Sequence, residues 1–81
     1  MTQDGQPATT LNHGKLPWPR ETLVMDTVSE RTGLLVGVIE ERCKSNGKLH
    51  KRQAFMRPPG GGQEWDVPLD RIKPVTEAYK A

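Results

Sequence analysis

The chain has 81 residues, of which 33% are hydrophobic, so it can bury one small core and is expected to form a single domain. Its formal net charge of +2 is too small to indicate a nucleic-acid or membrane surface by itself. A single cysteine, Cys43, excludes an internal disulfide, and no apolar run approaches the length of a membrane span. Because the N-terminal residues also lack the pattern of a secretory signal, we expect a cytoplasmic location.

Residues 1–20 are predicted to form a flexible N-terminal tail. Leu11 is the only sizeable apolar side chain between Met1 and Leu16, so this segment buries too little surface to offset its ordering entropy. The tail ends in the stiff strap Leu16-Pro17-Trp18-Pro19-Arg20. Trp18 either packs on the core or binds a partner in a polyproline-like motif, and we favour packing because exposed tryptophan is unusual in small soluble proteins.

The folded domain is predicted to span residues 21–76 and to begin with two strands. The first covers residues 22–27, where β-branched residues are frequent. A turn over 29–33 leads to a second strand over 34–41, which has apolar residues on both faces as far as Ile39. Gly37 lies in the middle of this strand and predicts a bend or a β-bulge.

A hairpin and a third strand are predicted next. The dipeptide Asn46-Gly47 is the strongest short-range signal for a hairpin turn, and it joins the second strand to a third that runs over residues 49–56. Alternation along the third strand leaves neither face cleanly apolar. We expect its C-terminal end, Ala54-Phe55-Met56, to be the more buried part.

The block from Arg57 to Val67 is the most distinctive stretch of the chain. Pro58 and Pro59 donate no backbone N–H and should end the third strand, after which Gly60 to Gly62 let the chain reverse. A Walker-type phosphate loop is excluded because its Lys-Ser/Thr spacing is absent and no helical pattern follows, and we favour a plain hairpin turn over an anion-binding loop. A fourth strand follows, in which Trp65 and Val67 share a face and Trp65 is expected to fill the core.

The end of the chain completes the predicted fold. Residues 68–71 are predicted to form one 3₁₀ turn, residues 72–75 a short edge strand, and residues 77–81 a frayed C-terminus. Five short strands joined by tight turns, with a 3₁₀ turn before the last, predict an all-β domain: a small five-stranded antiparallel SH3-like barrel.

Parts of this pattern resemble known proteins over roughly residues 22–75. The segments that carry the resemblance are Val24-Met25-Asp26-Thr27, the run from Gly33 to Val38, the block from Met56 to Val67 and the closing run from Leu69 to Val75. They resemble short, uncharacterised actinobacterial proteins and, more loosely, SH3-like barrels of the KOW and Tudor kinds. The resemblance implies an interaction module for peptides, ribosomal or polymerase components, or nucleic acids. The few, scattered aromatic residues depart from the aromatic cage of Tudor domains.

Charge is segregated along the predicted domain. Residues 21–41 carry mostly acidic side chains, whereas residues 42–57 carry cations and no acid, namely Arg42, Lys44, Lys48, Lys51, Arg52 and Arg57. Two interpretations remain open. The opposite charges pair across adjacent strands, which we favour because solvated strands commonly carry mixed charge, or the basic run faces an anionic partner.

No pattern of catalytic, cofactor-binding or metal-ligating residues is found. His13, His50 and Cys43 lack the paired spacing of a zinc site, and Cys43 has no resolving cysteine. The carboxylates are plentiful, but acid–base catalysis needs a concave, desolvated site that so small a core rarely provides. We therefore expect a protein that is not an enzyme and that has no cofactor and no small-molecule substrate.

Two functions follow as hypotheses. The first is an SH3-like interaction module that binds a protein partner, with a regulatory role as one option. The alternative is a small barrel that binds DNA or RNA through the basic hairpin of residues 42–57, with Phe55 as a stacking residue. The candidate partner-binding residues are Trp18, Arg42, Lys44, Lys48, Lys51, Arg52, Phe55 and Arg57. Arg57 and the glycine N–H groups after it are the place where the distinctive block itself would bind an anion.

Overall fold

The computed structural model describes residues 8–78 of the chain, and these residues are predominantly β-structure. The strands are β1 (Thr9–His13), β2 (Leu23–Asp26), β3 (Thr32–Cys43), β4 (Leu49–Arg57), β5 (Trp65–Pro68) and β6 (Ile72–Pro74). A 3₁₀ turn (Leu69–Arg71) precedes β6, and one helical turn, α1 (Val75–Ala78), follows it. The all-β prediction is confirmed, and so is the 3₁₀ turn before the last strand.

The strands form one antiparallel sheet in the order β5-β4-β3-β2-β6, and β1 also pairs with β3. The prediction of a closed barrel with five strands is wrong. Six strands are present, and within residues 8–78 no ladder joins the outer strands β5 and β6, so the sheet stays open. The fold is therefore an open antiparallel sheet rather than a closed barrel.

β1 is the strand that the sequence did not predict. It lies inside the expected flexible tail, so that prediction is wrong for residues 9–13. β3 extends well beyond β2, and β1 pairs along this extension from Thr9 opposite Cys43 to His13 opposite Ile39. Pairing uses backbone groups, so it does not need the large apolar side chains that the segment lacks.

The proposed division of the chain at residues 20 and 76 stays a prediction. Residues 1–7 and 79–81, to which the flexible tail and the frayed C-terminus also applied, lie outside the described residues.

The core lies on one face of a strongly curled sheet. Its buried cluster draws on every strand from β2 to β6 and consists of Val24, Leu35, Ala54, Met56, Val67 and Ile72. Val67 belongs to β5 and Ile72 to β6, the two outer strands of the sheet. Because both contribute to one cluster, the sheet must curl around it. Trp18 and Trp65 are partly buried and pack against this cluster, as expected from the sequence.

The turns and the β-bulge lie at the positions that the sequence indicated. Gly47 adopts a φ of 71° in the β3–β4 loop, and its N–H donates to the Cys43 carbonyl at 2.8 Å, which confirms the Asn-Gly hairpin. β4 ends at Arg57, directly before the two prolines, and Gly61 and Gly62 take positive φ before β5 begins at Trp65. The predicted bulge is also present, because the β3–β4 register shifts between Leu35 and Gly37.

Gly33 packs so tightly that a larger side chain should destabilise the fold. A Cβ atom there would lie 2.6 Å from Cη2 of Trp65 and 3.0 Å from the backbone oxygen of Arg57. We expect Gly33→Ala to lower the free energy of unfolding by about 1–3 kcal/mol, since the backbone oxygen is held in place and the indole of Trp65 already packs between the core cluster and the Arg31 guanidinium. Urea unfolding measures this. Gly60→Ala is the matched control, because a Cβ at Gly60 meets no atom within 4 Å, and an equal loss in both variants would contradict the packing account.

Candidate functional site

Other side chains of β1, β3 and β4 lie on the face of the sheet opposite the core. On β4, Phe55 lies between the buried residues Ala54 and Met56, so the pleat directs it to the opposite face. On β3, Ile39 follows the buried Val38 in the same way. This outer face is covered by no other strand of the described residues.

Two adjoining hollows of about 540 and 440 Å³ lie on this outer face. Both are lined by Ile39 and Phe55, so they form one continuous depression, which we call the outer groove. Its apolar lining comes from three strands and from the segment that follows β1, where Leu16 also packs against the core cluster, and the residues are Leu11, Leu16, Val36, Ile39 and Phe55. Its charged side chains are Arg20 and Glu64 at one end and Glu41 and Lys51 at the other.

The basic residues of the β3–β4 hairpin do not form one surface. On the core side, Glu40 accepts hydrogen bonds from Arg42 at 3.1 Å and from Arg52 at 3.0 Å. On the outer side, Lys51 lies 3.8 Å from Glu41. The two pairs between strands follow the register, in which Glu40 is opposite Arg52 and Glu41 is opposite Lys51, whereas Arg42 lies on the same strand as Glu40. The structure therefore shows the pairing of opposite charges across strands that the sequence analysis favoured.

The remaining predicted cations also lie apart. Arg57 donates to Glu21 at 2.6 Å, at the opposite end of β4 from the hairpin loop. Lys44 and Lys48 are exposed in that loop. The N–H of Gly61 donates to the Pro58 carbonyl at 2.9 Å and so serves the turn. The block after Arg57 therefore uses one of its glycine N–H groups internally.

The pairing changes the acidity of the shared carboxylate. Hydrogen bonds from Arg52 and Arg42 lower the pKa of Glu40 below its usual value. Glu40 therefore remains ionised while it holds both guanidinium groups. This arrangement neutralises part of the basic hairpin.

Of the candidate residues, the structure brings Phe55 and Lys51 into the outer groove. Trp18 packs against the core cluster and does not line the groove. Sequence reasoning missed Leu11, Leu16, Ile39 and the charged residues Arg20 and Glu64 as site residues. A signal was present in two places: the isolated Leu11 in a polar segment and the apolar residues on both faces of β3.

Other chemistry is sparse among the described residues. Hydrogen bonding to Ser45 and to the backbone N–H of Asn46 lowers the pKa of the Cys43 thiol, whose sulfur lies 3.2 Å from the Ser45 hydroxyl oxygen. No group of His, Cys, Asp and Glu side chains within residues 8–78 could hold a metal ion. No helix in the same part of the chain is long and apolar enough to cross a bilayer.

Comparison of the chain with protein-family models, with curated proteins and with solved structures finds no match. The resemblances to short actinobacterial proteins and to SH3-like barrels therefore stay predictions.

Proposed function

We propose that the chain is a non-enzymatic interaction module that binds an extended apolar segment of a partner protein in the outer groove. The observation that carries this proposal is the groove itself, in which apolar side chains from β1, β3 and β4 meet on a face left open. Leu11 is 68% exposed although it is one of few large apolar residues in the chain. Contiguous exposed apolar surface on a small domain marks an interaction site.

The architecture supports an open, SH3-like arrangement of β2 to β6, to which β1 is an addition. These five strands share one core, and the 3₁₀ turn separates the last two. β1 widens the outer face beyond the five strands by pairing with the extension of β3. The addition therefore belongs to the surface that we propose as the binding site.

A protein partner is favoured over a nucleic acid by the charge arrangement. Arg42, Lys51, Arg52 and Arg57 each pair with a carboxylate. A surface that binds nucleic acid instead releases counterions from phosphates through uncompensated cations, and its affinity decreases steeply with salt. We expect weak binding to mixed-sequence DNA and RNA, without that steep salt dependence.

Photo-crosslinking tests the proposed site in cells of the source organism. A benzoylphenylalanine at position 11, on β1 in the groove, is expected to form an adduct with one partner protein. The same group at position 73, exposed on β6, is the matched control and should give none. Phe55→Thr removes the aromatic ring but places a residue that also favours strands on β4, and should reduce the adduct yield about tenfold.

Three results would contradict the proposal. Position 73 could give the same adduct as position 11, which would show no selectivity for the groove. Phe55→Thr could leave the yield unchanged. The adduct could have the mass of two copies of this chain, in which case the groove serves self-association instead.

A further inference from the structure

Gly37 lies next to the bulge, but neither close packing nor a positive φ requires a glycine at this position. A Cβ atom at this position would meet no atom within 4 Å, and Gly37 is absent from the residues with positive φ. Gly33 and Gly14 differ, since a Cβ there would lie 2.6 Å and 2.7 Å from its nearest neighbour. Glycine inside a strand weakens that strand, and it often marks a place where a ligand or another backbone approaches closely.

The space above Gly37 opens into the larger hollow of the outer groove. Gly37 is opposite Phe55 in the β3–β4 register, and the bulge next to it brings Val36 into the lining. Leu16 and Ile39 contribute further apolar surface. A hollow of about 540 Å³ with this lining lies within the size range of open clefts that bind small ligands.

Charges of both signs stand at the edge of this hollow. Arg20 and Glu64 both line it, and both are exposed. Neither forms an ion pair with another side chain of residues 8–78. The other charges of the outer groove differ, because Glu41 and Lys51 lie within ion-pair distance of each other. Arg20 and Glu64 are therefore available to groups of opposite sign on a ligand.

We propose that the space above Gly37 is an anchor subsite. It takes one large apolar side chain from the partner's extended segment, and a carboxylate and a cation flanking that side chain pair with Arg20 and Glu64. This inference rests on the proposed function, which it deepens by naming the chemistry of the segment. A single buried anchor flanked by polar contacts is the usual energetic centre of such interfaces.

Short peptides test the subsite by NMR titration of the purified full chain. The probe is acetyl-Asp-Phe-Lys-amide, and acetyl-Asp-Ser-Lys-amide is the control that lacks only the anchor. We expect the probe to shift the amide resonances of Gly37, Ile39 and Phe55 at millimolar concentration. The control peptide should leave them in place.

Two variants of Gly37 separate the subsite from the rest of the groove. Gly37→Leu fills the space from within and is expected to weaken probe binding at least about tenfold. Gly37→Ala leaves room for the anchor, so its affinity should stay within about threefold and its thermal midpoint should not fall. If Gly37→Leu fails to fold, Val36→Thr makes one wall of the hollow polar instead, at a residue outside the core cluster, and should also weaken binding.

Several results would overturn the inference. These are equal shifts with both peptides, no shifts with the probe, or unchanged affinity in Gly37→Leu or its substitute. Concentration-dependent shifts of the same amides without peptide would also overturn it, because a second copy of the chain would then fill the subsite. If the crosslink from position 11 still forms but the peptide titration contradicts the subsite, the groove binds its partner without this anchor. Absence of the crosslink instead removes the proposed function.

Discussion

Asp26→Ala is expected to lower the free energy of unfolding by about 2–3 kcal/mol, because it removes a buried carboxylate that pairs with a partly exposed arginine and accepts several hydrogen bonds. Asp26 is only 2% exposed. Its oxygens accept hydrogen bonds from Arg71 at 2.8 and 3.2 Å, from the Ser29 hydroxyl at 2.8 Å and from the Val28 N–H at 3.1 Å. The loss of unfolding free energy should be smaller than for a fully buried ion pair, because the Arg71 side chain is 37% exposed and can be solvated in the variant.

The double-mutant cycle of Asp26→Ala with Arg71→Ala measures how much of this effect belongs to the pair itself. Urea unfolding at neutral pH gives the four free energies. Asp70→Ala, at an exposed carboxylate of the neighbouring 3₁₀ turn, is the control and should change stability by less than about 0.5 kcal/mol. Equal effects of Asp26→Ala and Asp70→Ala would contradict the structural role of Asp26.

Asp26 also makes the stability of the fold depend on pH in the acid range. Burial alone would raise the pKa of Asp26, but hydrogen bonds from Arg71, Val28 and Ser29 outweigh it and lower that pKa below the ordinary value. A carboxyl with a lowered folded pKa stabilises the fold above its unfolded pKa, about 3.9, and this contribution is lost as the pH falls through the folded value. Asp26→Ala should therefore lose less stability than the native chain when the pH is lowered through this range.

Leu35→Ala is expected to cost about 3–4 kcal/mol of unfolding free energy, through lost burial and the cavity left behind. Leu35 is completely buried and belongs to the one core cluster, to which β2 to β6 all contribute. Because the core is small, few other contacts can compensate for the loss.

The neighbouring Leu34 supplies the control for Leu35. It lies on the same strand, points the opposite way and is only partly buried. We expect Leu34→Ala to cost less than half as much in the same urea unfolding experiment. Equal losses of unfolding free energy in the two variants would contradict the assignment of the core to the face of β3 that carries Leu35.

Local signals in the sequence predicted the turns of the fold well. Asn46-Gly47 encodes its hairpin, the prolines after Arg57 end β4, and Gly37 marks the bulge, because each effect depends on backbone chemistry within a few residues. The 3₁₀ turn before β6 was predictable for the same reason.

Long-range pairing explains what the sequence did not reveal. β1 forms because β3 extends past β2 and offers free backbone groups, and nothing in the polar segment around Leu11 encodes that partner. Whether the sheet closes likewise depends on the distance between β5 and β6 in the curled sheet. Local periodicity carries no information on that separation.

The candidate site was only partly predictable for a related reason. Phe55 was identified, and apolar residues on both faces of β3 were noted as far as Ile39. Which of the two faces remains open is decided by the curl of the sheet. The basic run was visible in the sequence, but alternation along β4 sends Lys51 and Arg52 to different faces, where separate carboxylates meet them.

Radical footprinting of the crosslinked complex tests the central claim most directly, because it measures which face the partner covers. The rates of hydroxyl-radical modification of Ile39 and Phe55 are compared between the free protein and the complex, with Leu23 and Val28 as exposed side chains outside the groove. The outer-groove account predicts strong protection of Ile39 and Phe55 in the complex and unchanged rates at Leu23 and Val28. Unchanged rates at Ile39 and Phe55, with protection at Leu23 or Val28 instead, would contradict it.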